Sequence, residues 1–127
     1  MSKRPELAKS ELEIARIVWG LRQATVRQVL DALPENRGLD FKTVQTYLRR
    51  LEAKGYVKTS RDGRSNVYKP IIRPGRVIGE VVDDMLNRLF DGQVLPLFQH
   101  MVNDRGLSSD EVRQLRELLD QMEKESP

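Results

Sequence analysis

The residues best suited to recognition chemistry lie in one stretch, FKTVQTYLRRLEAKGYV, and in KTSRDGRSNVYKP directly after it. At about 100° per residue, Val44, Tyr47, Leu48 and Leu51 gather in one sector of a helix. Lys42, Thr46 and Arg49 lie nearly opposite, flanked by Thr43, Gln45 and Arg50. Such groups match the edges of bases and the phosphates of a duplex. A glutamine amide bonds N6 and N7 of adenine together, an arginine grips O6 and N7 of guanine, and a threonine methyl packs on that of thymine. Any amphipathic helix has a solvated polar face, but no acidic residue stands on this one between Phe41 and Leu51. Base contacts are therefore expected at Lys42, Thr43, Gln45 and Thr46, in the N-terminal half of the helix. Phosphate contacts are expected at Arg49, Arg50, Lys54, Arg61 and Arg64.

Other chemistries find little support. His100 is the single histidine; it has i, i+4 spacing to Asp104, but no second His or Glu joins it in sequence to suggest a metal site. Neither a glycine-rich phosphate loop nor a nucleophile elbow is present. The chain has no cysteine, which excludes a disulfide framework, thiol catalysis and thiolate metal sites. Asp83 and Asp84 fall on the solvent side of a helix, and Trp19 on an apolar side. No enzymatic activity, cofactor or metal is expected.

The elements that must hold the polar face can be read from caps and periodicity. Ser10-Glu11-Leu12-Glu13 has the form of a capping box and opens a first helix that runs to about Gly20. Thr25-Val26-Arg27-Gln28 repeats the pattern for a shorter second helix, ended by Pro34 and Gly38, and a tight turn over 21–24 joins the two. Asp40 is the expected N-cap of the third helix, over 40–54, and Gly55 its left-handed C-cap. The period then becomes alternating, with Asp62-Gly63 between two short strand-like runs, so a hairpin follows and holds Arg61 and Arg64 beside its turn. Pro74 opens a fourth helix that ends at Asp91-Gly92. Val94, Leu97, Phe98 and Met101 mark a fifth, ended near Gly106, and Ser108-Ser109-Asp110-Glu111 caps a sixth. A short helix, a tight turn, a recognition helix and a basic hairpin make a winged helix-turn-helix. The fold expected is mainly α with a small β-hairpin wing.

Charge divides the chain as the motifs do. The net charge is +3, yet residues 1–72 hold 15 Lys+Arg against 8 Asp+Glu while residues 73–127 hold 7 against 11. One half is suited to a polyanion and the other is not. The expected domains are 1–72, binding DNA, and 73–127, three helices. With 39% hydrophobic and 32% charged residues the chain can build only a modest core. No apolar run approaches the roughly 18 residues of a membrane span, and MSKRPELAKSE lacks the apolar stretch of a signal peptide, so a cytoplasmic location is expected.

The segment TVRQVLDALPENRGLDFKTVQTYLRRLEAKGYVKTSRDGRSNVY resembles the DNA-binding domain of the penicillinase-repressor family, the bacterial winged-helix repressors of beta-lactamase and methicillin-resistance genes. LAKSELEIARIVW is similar to that family's first helix, and LFDG with LSSDEVRQLRELLDQ to its dimerisation domain. The resemblance implies a homodimer that binds a palindromic operator and blocks transcription. It also implies an inactivating protease as a partner, which in the antibiotic-responsive members cuts an Asn-Phe bond in the fifth helix. Here Leu97 precedes Phe98, which speaks against release by that route. The copper-responsive branch uses cysteines that this chain lacks.

Three short helices alone seldom bury enough surface to be stable, so a second copy is expected to complete the C-terminal domain. Its shared core would comprise Val81, Val82, Met85, Leu86, Leu89, Phe90, Phe98, Met101, Leu115 and Leu119, and would set half-site spacing near one helical turn. Two other functions remain open on sequence grounds. Winged helices also serve as protein-interaction modules, which would not require the basic half or the basic wing. Sequence-independent DNA packaging would not require threonines and a glutamine on the recognition face.

Overall fold

The computed structural model describes residues 4–126. Six α-helices and two strands follow in the order α1 (Lys9–Leu21), α2 (Val26–Ala32), α3 (Phe41–Ala53), β1 (Val57–Asp62), β2 (Ser65–Pro70), α4 (Pro74–Phe90), α5 (Val94–His100) and α6 (Ser109–Glu125). Local chemistry sets most of the boundaries. Thr25 caps α2 as a reciprocal box: its Oγ1 accepts from the Gln28 amide at 3.1 Å, and its own amide donates to the Gln28 side chain at 2.9 Å. Ser108 and Glu111 make the same pair of bonds at the start of α6. Such bonds satisfy amides that the first helical turn leaves without partners.

The start of α1 differs from the expectation. The helix begins at Lys9 with Ala8 at the cap, and it is Glu11, rather than Glu13, whose carboxylate reaches back, accepting from the Ala8 amide at 2.8 Å. The reason is tertiary: Glu13 is held by Arg37 through contacts of 2.7–3.0 Å from the connection between α2 and α3. That connection is itself structured, with a 3-10 turn over Glu35–Arg37 closed by Gly38.

The strands pair antiparallel, Val57 opposite Pro70 through Asp62 opposite Ser65, so the two loop residues are Gly63 and Arg64 rather than Asp62 and Gly63. Gly63 takes φ 64°, a conformation costly for a side-chain-bearing residue and the reason glycine serves here. A third, single-residue rung completes the sheet: Ala24 and Tyr68 exchange backbone hydrogen bonds of 3.0 and 2.8 Å, so the segment between α1 and α2 is more than a turn.

One core gathers Ile14, Ala15 and Val18 of α1, Val26 and Val29 of α2, Val44, Leu48 and Leu51 of α3, and Tyr56, Val57 and Tyr68 of the wing. The arrangement is a winged helix. Phe41 stands apart: although it follows the apolar spacing of α3, it is 41% exposed and is not among the buried residues of this cluster.

The chain divides into two compact units between Gly79 and Glu80, inside α4, whereas the sequence suggested a division after residue 72. Val77, 2% exposed, belongs to the winged-helix core, which draws the first turns of α4 into that unit. From Glu80 onward none of the described residues is buried. Val81, Val82, Leu89 and Leu119 are exposed, while Met85, Leu86, Phe90, Phe98, Met101 and Leu115 are half-buried. After α5 the chain continues through a π-helical turn, Met101–Arg105, to Gly106. Among the described residues no helix is long and apolar enough to cross a membrane.

Candidate nucleic-acid interface

The start of α3 is fixed by Asp40, whose Oδ1 accepts from the Thr43 amide at 2.8 Å. Hydrogen bonds from the Thr43 side chain and amide hold the Asp40 carboxyl below its ordinary range, so the cap stays charged and complements the positive helix end. Val44, Leu48 and Leu51 are each 0% exposed, which fixes the rotation of the helix about its axis. Lys42, Thr46, Arg49 and Arg50 are exposed in consequence, and Thr43 and Gln45 are half-buried at the margins of that face.

Two details prepare the face for contact. Thr46 Oγ1 donates to the Lys42 carbonyl at 3.0 Å, which leaves its oxygen as an acceptor and its methyl as an apolar contact. The Arg50 guanidinium lies 5.7 Å from the centre of the Tyr47 ring, a placement that restrains a long side chain before any partner arrives. Glu52, the acidic residue nearest the end of the face, accepts from the Thr59 amide at 3.0 Å and thereby ties α3 to β1. Arg61, across the hairpin from Asn66, and Arg64 in its loop are both exposed.

Lys54 is placed differently from the expectation that it faces phosphate. Its Nζ lies 2.5 Å from Glu11 Oε1 and donates to the Glu6 carbonyl at 2.8 Å, with the side chain only 26% exposed. It joins the end of α3 to the start of α1. Burial by itself would push the Glu11 carboxyl up, but the Lys54 hydrogen bond, the Ala8 amide and the charges of Lys54 and Arg50 outweigh it, and the group sits below its ordinary value. Arg37, likewise a cation of the basic half, is engaged by Glu13, and that bond holds the Glu13 carboxyl down.

Two residues next to the face were not expected there from the sequence, which puts Phe41 with Val44, Tyr47, Leu48 and Leu51 on the apolar side of the helix. Arg27, in the first turn of α2, sets its guanidinium 5.3 Å from the centre of the Phe41 ring at the first position of α3. A helical wheel of α3 alone assigns Phe41 to the core side and cannot register a neighbour from α2. The signal available was the pairing of Thr25-capped α2 with Asp40-capped α3, which brings the two N-terminal turns into one unit.

No group of three or more metal-binding side chains occurs among the described residues. His100 Nδ1 lies 2.7 Å from Asp104 Oδ2, with both side chains more than 60% exposed, an i, i+4 surface pair.

Comparison with known proteins places this geometry. The penicillinase repressor of Bacillus licheniformis is 28% identical over 121 residues, covering 95% of this chain and 94% of its own. The methicillin resistance regulatory protein MecI of Mammaliicoccus sciuri is 24% identical over 118 residues, 93% of this chain and 96% of its own. The solution structure of monomeric Bacillus licheniformis BlaI in complex with the blaP half-operator superposes with a TM-score of 0.50 at 32% identity, covering 59% of this chain and 92% of that one. The sequence profile of the penicillinase repressors matches residues 7–121, from before α1 into α6, and the protein belongs to that family.

Proposed function

We propose that this protein is a transcriptional repressor that binds a palindromic operator as a homodimer, with α3 in the major groove and the β1–β2 hairpin against the adjoining backbone. The observation that carries the reading is the acid-free exposed face of α3, bearing Lys42, Thr46, Arg49 and Arg50 and edged by Thr43 and Gln45, in a chain of this family. A relative solved on a half-operator supports the same use of the fold. Lys42, Thr43, Gln45 and Thr46 read base edges, and Arg49, Arg50, Arg61 and Arg64 hold phosphates. Lys54 contributes by locking the end of α3 to α1, so that the helix enters the groove as a rigid body.

The second unit supports dimerisation, because its apolar residues find too little cover within one chain. Leu89 is 71% and Leu119 58% exposed. A repressor with this use acts in the cytoplasm. Because Leu97 stands before Phe98, release from the operator proceeds by a signal other than cleavage at an Asn-Phe bond.

Selection of bound sequences from a random duplex pool, followed by titration of the winner at several salt concentrations, tests the reading. A palindromic site bound by two chains, with log affinity falling steeply with log salt as expected for roughly six phosphate contacts per dimer, is the predicted result. Weak, sequence-blind binding would point to packaging, and no binding to a protein-interaction module.

A further inference from the structure

Phe41 poses a problem that the core does not solve. A large aromatic ring at the first position of α3 is 41% exposed, outside the hydrophobic cluster, although the core sector of the helix lies close by. Its described partner is the exposed Arg27, whose guanidinium sits over the ring at 5.3 Å. Phe41 and Gln45 are one helical turn apart and therefore neighbours on the same ridge of α3, along the margin that borders α2. The ring thus continues the base-reading face rather than the core.

We infer that Phe41 is a further specificity-determining residue, packing on the C5-methyl group of a thymine in the base pair next to the one Gln45 reads, with Arg27 stacked behind it and turned to the adjacent phosphate. This rests on the DNA-binding reading above. Phenylalanine is suited to the task because an apolar contact distinguishes thymine, the base that presents a methyl in the major groove, from cytosine. The stacked guanidinium covers part of the ring and keeps its N–H groups in its own plane, where they can bond phosphate oxygens while the cation stays over the π face. Covering the remaining exposed ring with a methyl group removes apolar surface from water on both partners.

The experiment is a replacement scan on the operator obtained by selection, in which each thymine in turn becomes deoxyuridine, a base lacking only the methyl. For the unaltered protein, replacement at one thymine per half-site is expected to weaken binding about fourfold, the factor for losing one buried methyl-sized group. Phe41→Ala should be insensitive to deoxyuridine at that position while keeping its response at any thymine read by Thr46, and its thermal unfolding midpoint should stay near that of the parent. The proposal is overturned if no thymine outside the Thr46 contact responds in the unaltered protein, or if Phe41→Ala keeps the same response. The scan of the unaltered protein stands whether or not the variant folds. Failure of the unaltered protein to bind any selected duplex would instead overturn the DNA-binding reading, and this inference with it.

Discussion

The winged-helix unit and the C-terminal unit are built from similar amounts of helix, yet they treat their apolar residues in opposite ways. In the first, Ile14, Val18, Val29, Val44, Leu48 and Leu51 are essentially inaccessible, and the wing closes over them with Val57 and Tyr68. In the second, Val81, Leu89, Leu118, Leu119 and Met122 stand 43–71% exposed on helices whose apolar stripes are as regular. The difference shows what periodicity measures. A stripe records that a face must be covered, while a second layer of structure decides whether the same chain covers it.

The comparison can be broken most strongly at its core. Leu48→Ala should destabilise the winged-helix unit by about 2–5 kcal/mol, since the side chain is fully enclosed and its removal leaves a cavity; chemical denaturation measures this directly. Leu89→Asp should leave the unfolding of the winged-helix unit unchanged and, if the proposed dimer forms through this face, shift it to monomer in sedimentation experiments, because a charge would be desolvated at the subunit interface. An unchanged sedimentation profile would exclude Leu89 from that interface.

A smaller effect is expected at the joint between α1 and α3. Lys54→Met removes the cation from a 2.5 Å pair with Glu11, itself 2% exposed, and should cost on the order of 1–3 kcal/mol, as expected when a buried charged group loses its partner. The pair also predicts a pH dependence. The Glu11 carboxyl lies below its ordinary 4.5 in the folded protein, so the stability it contributes is present above that value and is lost as pH falls through the lowered one. A stability profile below about pH 4.5 should be steeper for the parent than for Lys54→Met. If the two profiles ran parallel, the pair would not contribute.

On the face itself the effects fall on operator binding rather than on stability. Gln45→Ala should cost about 1–3 kcal/mol at one operator position and relax base preference there. Arg64→Ala should weaken all sequences alike and reduce the salt slope by about 1. A change in base preference from Arg64→Ala would reverse its assignment to the backbone.

Much of this organisation is legible in the chain because it is local. Thr25 with Gln28, Ser108 with Glu111, and Asp40 with Thr43 cap their helices through bonds that span three residues. Where the reading failed, the deciding partner was distant. Ser10 does not cap α1, because Glu13 is drawn to Arg37, 24 residues away. Lys54 is turned from solvent by Glu11, 43 residues away. Tyr68 pairs with Ala24, in a segment the sequence marks only as a turn.

The sequence by itself determined the helices, the hairpin, the family and the acid-free face of α3, since spacing, caps and charge act over one or two turns of chain. Tertiary structure alone decided which cations of the basic half are available. Arg37 and Lys54 are held by carboxylates, whereas Arg49, Arg61 and Arg64 are exposed, and Arg27 is brought over Phe41 by the packing of α2 on α3. An ion pair depends on distance in space, and only the folded chain sets that distance.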